Sequence, residues 1–342
     1  MGDRSSIEWT RSPDGTPGAT WNPIRARHRV TGKVGWACVK VSEGCSHCYA
    51  ERMNAYRGTG LDYTVPALKD VELFLDERTL TQPLRWTRPR RVFVCSMTDL
   101  FWDQVPDEWI DRIFAVMALA RQHTFLVLTK RAEEMHSYSW HVDFVALNDA
   151  ARQISGRPEI TVVPGGWPLP NVWLGVSVED QRRADEQLPW LLKTPAAVRW
   201  VSAEPLLGPL DLKDWLEGLN PLARDLSKTP AIQWLVTGGE SGGPPERALV
   251  SKSTKGRDGQ CPACGSVVCF MAQIPGKLTC GNTGRVFEGD PWGWQPKPEA
   301  VEWLRSLRDQ CRAAGVAFFF KQFGGPTPKA GGRLLDGREW NE

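Results

Sequence analysis

Long apolar runs are absent from this sequence of 342 residues. A helix that crosses a membrane needs roughly 18 to 20 consecutive apolar residues, and no segment of the chain provides them. The first residues, from Met1 to Ser6, also lack the apolar core of an export signal. We therefore expect a cytoplasmic protein with no membrane partner.

An excess of charge of one sign is also missing, because the formal net charge is only +2. That balance does not by itself indicate a nucleic-acid partner. Histidine is scarce, and the five histidines are spread without the spacing of metal ligands. Cysteine is more informative: nine are present, an odd number gathered mostly in two groups. This pattern favours metal ligation in a reducing compartment over a disulfide framework.

Short apolar runs alternate with amphipathic segments along most of the chain. The predicted strands are residues 34–39, 91–95, 124–129, 171–178, 198–203, 232–237 and 316–320. The predicted helices are residues 49–56, 107–121, 182–192 and 299–314. Nearly continuous apolar runs are typical of parallel strands covered on both faces. About seven such units favour an α/β fold with a complete or partial (β/α) barrel over an open sheet.

Cys38, Cys45 and Cys48 form the first cysteine group, within one short loop. A closed structural zinc site needs four protein ligands, whereas three thiolates leave one coordination position open. The loop therefore predicts a metal centre with a catalytic position.

Polar residues directly follow the predicted strands. They are Ser96 to Asp99, Lys130 and Arg131, Glu179 and Asp180, Glu204, the Gly238-Gly239-Glu240 turn, and Lys321 and Gln322. In a parallel barrel the carboxyl ends of the strands meet at one mouth, where active sites lie. Any single motif is explained equally well by a solvated loop, but six in succession indicate a site.

The second cysteine group is Cys261, Cys264, Cys269 and Cys280, within a polar, glycine-rich segment. Its Cys-Pro-Ala-Cys-Gly start has the form of a zinc knuckle, and four thiolates suffice for a closed site. Structural Zn²⁺ is the favoured interpretation, with an auxiliary iron–sulfur cluster or uncoordinated thiols as alternatives. We interpret residues 1–242 as the first part of the barrel, 243–297 as an inserted segment, and 298–342 as the last helix, last strand and tail.

Several motifs together resemble a family of phage and prophage proteins related to radical S-adenosylmethionine (radical SAM) enzymes. The matching segments are TWNP at 20–23, GCSHCYAE at 44–51, VFVCSMTDLF at 92–101, WLGVSVED at 173–180, VSAEPLLG at 201–208, GGESG at 238–242, SLRDQC at 306–311 and FFFKQ at 318–322. The chain departs from the common radical SAM loop, because six residues separate Cys38 from Cys45 where three are usual.

The resemblance implies a partial barrel of the radical SAM type, in which Cys38, Cys45 and Cys48 hold a [4Fe–4S] cluster that binds S-adenosyl-L-methionine. It implies an electron donor such as a flavodoxin or ferredoxin, and the bacterial host's cytoplasm if a phage encodes the protein. The residues expected to bind cofactor are Ser177, Glu179, Gly238, Gly239, His47 and Asp99. Glu204 and Glu240 are the candidate catalytic residues, because a carboxylate suits an ammonium group of cofactor or substrate.

The expected substrate is a nucleic-acid base or a nucleotide. Related phage systems use radical SAM proteins to rearrange amino-acid-modified thymine during DNA hypermodification, as isomerase or lyase chemistry. The basic stretch at residues 25–29, with lysines and arginines of the inserted segment, is expected to place positive charge near the mouth. The alternatives are an enzyme similar to DNA photoproduct repair lyases, and a non-catalytic nucleic-acid or partner-binding protein stabilised by metal.

Overall fold

A parallel sheet curled into a half-barrel is the centre of the fold. The computed structural model describes residues 4–12, 14–163, 166–216, 231–252, 271–274, 277–284, 286–288, 294–327 and 330–342. The strands are, in chain order, β1 Ala19–Trp21, β2 Ile24–His28, β3 Val34–Gly35, β4 Val71–Leu75, β5 Arg91–Val94, β6 Thr124–Thr129, β7 Val172–Ser177, β8 Val198–Ala203, β9 Trp234–Thr237, β10 Val250–Lys252, β11 Met271–Ile274, β12 Lys277–Cys280, β13 Val286–Glu288, β14 Trp294–Pro296 and β15 Ala317–Phe320.

The helices lie mostly between the strands of this sheet. They are α1 Tyr49–Arg57, α2 Glu77–Leu80, α3 Asp107–Leu119, α4 Ala132–Trp140, α5 Phe144–Ser155, α6 Gln181–Lys193, α7 Lys213–Leu216 and α8 Pro298–Ala314. The predicted helices correspond to α1, α3, α6 and α8, and each of these predictions is confirmed within two residues at either end. None of the helices in the described ranges combines the length and the apolar character that crossing a bilayer requires.

The seven strands of the main sheet are arranged in the order β1-β5-β6-β7-β8-β9-β15. Each neighbouring pair is parallel. The prediction of a parallel α/β fold is therefore confirmed, and the curled sheet is compatible with a partial (β/α) barrel. All seven carboxyl ends lie along one edge of the sheet, called the mouth below.

The predicted first strand, residues 34–39, is wrong. Val34–Gly35 forms β3, which pairs antiparallel with β2 in a separate sheet of order β3-β2-β4. The first strand of the parallel sheet is instead β1, which pairs with β5. A strand of three residues is too short to be recognised as an apolar run. The alternation of Val34, Trp36 and Cys38 has the period of a strand, and it led to the wrong prediction. The cysteine loop consequently follows the antiparallel sheet.

The two faces of the main sheet are packed differently. Alternate strand residues pack with the helices in one large core, and the others form a second cluster: Phe93, Leu126, Trp200, Trp234, Val236 and Phe319, closed by Trp9 from the start of the chain. The Trp9 ring centroid lies 4.8 Å from that of Phe93 and 5.3 Å from that of Trp200. Successive side chains of a strand point to opposite faces, so this aromatic cluster fills the concave face, opposite the helices.

Towards the mouth, the concave face becomes small and polar. On β7 the residues on the same face as Trp173 are Gly175 and Ser177. On β8, Ser202 lies on the same face as Trp200. A Cβ atom on Gly175 would lie 2.5 Å from Nε1 of the Trp200 indole. Glycine is therefore required there, because the indole lies directly against the β7 backbone.

Replacing Gly175 with alanine should destabilise the protein by about 1 to 3 kcal/mol, because the added methyl group overpacks the aromatic cluster. Chemical denaturation of the purified protein measures this change. Gly208→Ala is the matched control, since a Cβ atom there meets nothing within 4 Å. Equal stabilities for the two variants would contradict the described packing.

Candidate functional site: the mouth of the half-barrel

Two lysine–glutamate ion pairs lie at the mouth. Lys130, after β6, pairs with Glu179, after β7. Lys321, after β15, pairs with Glu204, after β8, with 3.3 Å between Nζ and Oε1. All four side chains follow concave-face positions of their strands, and their formal charges sum to zero. The two glutamates follow the neighbouring strands β7 and β8, and one lysine lies towards each end of the row.

Glu179 is the most deeply buried of these charged groups, with 1% of its surface exposed. Its Oε1 atom accepts a hydrogen bond from Ser42 Oγ at 2.7 Å and contacts Lys130. Its Oε2 atom is buried and accepts no hydrogen bond within the described part of the chain. Burying a carboxylate oxygen without a hydrogen-bond donor costs free energy. A ligand that donates a hydrogen bond to this Oε2 atom would recover that free energy on binding.

The cysteine loop lies across the ends of three neighbouring strands. It is held by hydrogen bonds from Thr98 Oγ1 to Ala37 O (2.7 Å), from Arg131 Nη2 to Val39 O (3.1 Å) and from Ser42 Oγ to Glu179 (2.7 Å). Since the three anchoring residues follow β5, β6 and β7, the loop runs along the mouth in strand order.

Two further contacts fix the middle of the loop. Glu43 forms ion pairs with Arg182 (2.6 Å) and Arg183 (3.1 Å) in the first turn of α6. Gly44 lies directly against the Glu179 carboxyl group, and a Cβ atom on Gly44 would overlap it. Exposed ion pairs such as those of Glu43 contribute little stability, whereas steric contact with a buried group is stringent. Gly44 and Glu179 therefore determine how closely the loop approaches the sheet.

Helix α1 connects the cysteine loop to the far side of the mouth. It begins directly after Cys48, and the hydroxyl of Tyr49 donates to Ser96 O in the loop after β5. Arg52 donates to Ser241 O at 2.8 Å and to Gly242 O at 3.1 Å, in the turn after β9. The helix thus spans from the second strand of the sheet to the sixth, and it fixes Cys48 relative to both.

The thiols of the first cysteine group share one partly buried environment. Cys38 and Cys48 pack against the cluster of Trp36, Ala50, Tyr63 and Met97. Burial raises the pKa of Cys38 to about 12, the charge of Asp99 adds to the rise, and the Arg131 guanidinium opposes it. Burial likewise raises the pKa of Cys48. Without a cation to compensate them, both thiols stay protonated at neutral pH, as is usual for metal-site cysteines before loading.

The three cysteines fit a metal centre by donor type and neighbourhood. Cys45 and Cys48 both contribute to raising the pKa of Cys38, which means that the three thiols lie within electrostatic reach of one another. Across the described ranges, however, no group of three or more Cys, His, Asp or Glu side chains is arranged to hold a metal ion. A cluster bound by all three thiolates would require the loop to rearrange from the conformation described.

Asp99 positions Arg131, one of the residues that hold the cysteine loop. Its carboxyl group accepts hydrogen bonds from Thr129 Oγ1 (2.7 Å) and from the amide of Lys130 (3.1 Å), and it pairs with Arg131 at 3.1 Å. Asp99 is 7% exposed, and its observed ion-pair partner is Arg131. Its contact with a cofactor stays a prediction. Of the other residues expected to bind cofactor, His47 is exposed on the cysteine loop and Ser177 is buried at the end of β7.

The Gly238-Gly239-Glu240 turn follows β9 at the mouth. Gly238 lies against Glu204, since a Cβ atom there would be 2.7 Å from Oε1 of that carboxylate. Glu240 is buried and accepts hydrogen bonds from Nε and Nη2 of Arg247 at 2.9 and 3.1 Å. Arg247 belongs to the segment interpreted as an insertion, and its pairing with Glu240 means that it is not available to hold a phosphate as expected for the basic residues of that segment.

The inserted segment begins and ends in a two-stranded stem. Strand β10 pairs antiparallel with β14, joining Val250 to Pro296 and Lys252 to Trp294. Leu249 and Val250 are buried in the main core, so the stem is part of the barrel body. Cys261, Cys264 and Cys269 lie outside the described residues, and Cys280 is buried at the end of β12.

Sequence reasoning did not predict the contacts that hold the site together. Lys130, Arg131 and Lys321 are visible in the sequence as polar residues after strands, but their pairing with carboxylates needs the strand order. Ser42, Gly44 and Arg52 carry no signal of their own in a single sequence. Only their contacts in the structure reveal what they position.

The fold and the mouth together define a class of protein: an α/β half-barrel whose mouth is crossed by a loop with three cysteines. The chain belongs to the DUF5131 family, proteins of unknown function, whose model matches residues 4–296 and 278–342. Neither curated proteins nor solved structures give a match to the chain.

Replacing Gly44 with alanine should lift the cysteine loop from the sheet, because the methyl group overlaps the Glu179 carboxyl group. Alkylation of Cys38 and Cys48 in the metal-free, reduced protein should then be faster, about tenfold for each 1.4 kcal/mol by which the loop is destabilised. Mass spectrometry of the alkylated peptides measures the rates. Ser46→Ala, at an exposed position of the same loop, is the control, and equal rates in the two variants would show that Gly44 does not set the loop position.

Proposed function

We propose that this protein is a radical SAM enzyme, of isomerase or lyase type, that acts on a nucleic-acid base or nucleotide. The observation that carries the proposal is the cysteine loop, which is anchored across the ends of β5, β6 and β7 at the mouth of a parallel half-barrel. Metal chemistry placed there would face the concave side of the sheet. Parallel barrels have their active sites at this end.

Cys38, Cys45 and Cys48 would hold a [4Fe–4S] cluster, leaving one iron for S-adenosyl-L-methionine. When bound, this pair supplies a 5′-deoxyadenosyl radical that removes a hydrogen atom from the substrate. The protein's own contribution is to bind, to orient and to exclude water. The aromatic cluster closes the base of the concave face, so a ligand is confined to the polar layer at the mouth.

The mouth carboxylates would act by exchanging ion-pair partners. Glu204 is paired with Lys321 and Glu240 with Arg247, so neither is a free acceptor in this structure. An ammonium group of a cofactor or of an amino-acid-modified base would compete with those cations for the same oxygens. Glu179 differs, because its Oε2 atom can accept a hydrogen bond from a ligand group such as a hydroxyl while Oε1 keeps its ion pair with Lys130.

The substrate class rests on the resemblance to phage proteins, in which radical SAM chemistry acts on modified thymine. A flavodoxin or ferredoxin would supply the electron. The inserted segment, with Cys261, Cys264, Cys269 and Cys280, is proposed to bind structural Zn²⁺, because four thiolates close a site with no position left for catalysis.

Replacing Cys38, Cys45 and Cys48 together with alanine should abolish iron binding at the loop and cleavage of S-adenosyl-L-methionine. Iron analysis of anaerobically reconstituted protein and detection of 5′-deoxyadenosine measure the two losses. Cys311→Ala, on the core face of α8, is the control and should retain both. Full iron and undiminished cleavage in the triple variant would refute the proposal, and a colourless parent protein that takes up no iron would instead indicate a binding protein.

Deleting residues 254–292 and joining the ends with a short turn should remove zinc while leaving iron and cofactor cleavage intact. The deletion keeps Arg247 and the β10–β14 stem, whose strand ends at Lys252 and Trp294 are already paired. Metal analysis of parent and deletion protein is the measurement. Loss of iron instead of zinc would identify the second cysteine group as an auxiliary cluster.

A further inference from the structure

The hairpin between β2 and β3 projects from the small antiparallel sheet. Its turn is closed by hydrogen bonds from the amide of Gly32 to His28 O and from the amide of His28 to Lys33 O, both at 2.9 Å. Gly32 has a φ of +70°, which glycine adopts without strain. Val30, at the tip, is 85% exposed. The hairpin is therefore an ordered protrusion with an apolar tip.

The hairpin and its sheet carry an excess of positive charge. Four basic residues, Arg25, Arg27, Arg29 and Lys33, lie between positions 25 and 34, and no acidic residue does. On the neighbouring strand Glu72 approaches Arg27 at 3.7 Å, a pair of which both side chains are about half exposed. Such a pair is weak in water. Within the residues the structure describes, the side chains of Arg29 and Lys33 are exposed and make no ion pair.

This hairpin is joined rigidly to the cysteine loop. The Arg25 guanidinium stacks over the Trp36 ring at 4.6 Å and donates to Gly35 O at 3.1 Å. Trp36 in turn packs in the cluster that contains Cys38 and Cys48. Lys33 precedes Cys38 by five residues, which limits their Cα separation to about 18 Å. A ligand bound along the hairpin would thus lie beside the mouth.

We propose that the β2–β3 hairpin, with Arg27, Arg29 and Lys33, is a contact surface for duplex DNA that places the substrate next to the mouth. This inference rests on the proposed function, and it names polymeric DNA as the substrate. The chemistry is charge complementarity with phosphates, together with the fit of a two-stranded β-ribbon to a duplex groove. Val30 at the tip is an exposed apolar group of the kind that contacts a thymine methyl group in the major groove.

A duplex fits this surface better than a single strand does. Proteins that bind single strands use a groove with exposed aromatic rings on which bases stack. The hairpin tip is exposed at Val30, and Phe74 on the neighbouring strand β4 is covered by the Arg27 guanidinium at 4.8 Å. The surface therefore offers cations and a protruding ribbon without a stacking platform.

The test compares two triple variants of the full-length protein that each lose three positive charges. The first is Arg27→Gln, Arg29→Gln and Lys33→Gln. The control is Arg88→Gln, Arg157→Gln and Arg312→Gln, three exposed residues that precede β5, β7 and β15 and so lie at the opposite edge of the sheet. Fluorescence anisotropy with a 30-base-pair duplex, and with one of its strands alone, is followed over a NaCl series. Melting temperatures confirm that both variants fold.

The hairpin variant should bind the duplex roughly tenfold more weakly or worse, and its log–log salt slope should shrink by about 0.9 for each phosphate that is no longer neutralised. The control should keep the parent's slope. Three results would overturn the inference: equal weakening in both variants, no duplex binding by the parent at low salt, or single-strand binding that depends equally on the hairpin.

The readouts separate this surface from the proposed chemistry. Iron content and DNA-independent cleavage of S-adenosyl-L-methionine are measured on the same preparations. The hairpin variant should retain both. If the parent protein binds no iron and cleaves no S-adenosyl-L-methionine but still binds duplex DNA through the hairpin, the proposed radical chemistry is refuted. The inference that the hairpin binds DNA is then still supported.

Discussion

The buried carboxylate of Glu179 is the constraint on which the site depends. A charge with 1% exposure needs compensation, and Lys130 from the neighbouring strand provides it. The same carboxyl group accepts a hydrogen bond from Ser42, and it leaves room only for a glycine at position 44. The ends of β6 and β7 and the cysteine loop are therefore fixed by one group. Removing either charge of such a buried pair typically costs about 3 to 5 kcal/mol, so loop position and sheet stability are coupled.

The aromatic cluster determines where polar residues begin on the concave face. Large rings on β5, β8, β9 and β15 fill much of the concave face. Above them Gly175, Ser177 and Ser202 are too small to continue that filling. The concave face of the seven-stranded half-barrel thus has an aromatic base and a polar rim whose charges are paired. Helix α1 contacts both halves of the rim through Tyr49 and Arg52.

The sequence alone predicts the parts of this fold that depend on hydrophobic patterning. Six of the seven main strands are continuous apolar runs of four to six residues and were predictable for that reason. Strand β1 was not, because three residues carry too little pattern. Helix α4 was not predicted because it is short and weakly amphipathic, whereas α5 was overlooked although its apolar stripe is as regular as that of α6. The polar residues after the strands were identifiable as a group. Their partners were not, because Lys321 and Glu204 are 117 positions apart and meet only through strand order.

The charge pattern of the mouth also limits how any ligand binds there. Lys130, Lys321 and Arg247 each neutralise a glutamate, so the described rim has little net field to attract a charged ligand from a distance. Long-range attraction must then come from elsewhere on the surface, and the exposed cations of the β2–β3 hairpin lie on the stretch that leads into the cysteine loop. Within the mouth, a ligand is selected by whether its donors and cations replace those already present. Under the proposed function, recruitment and discrimination would fall to different parts of the chain, which are connected through Trp36.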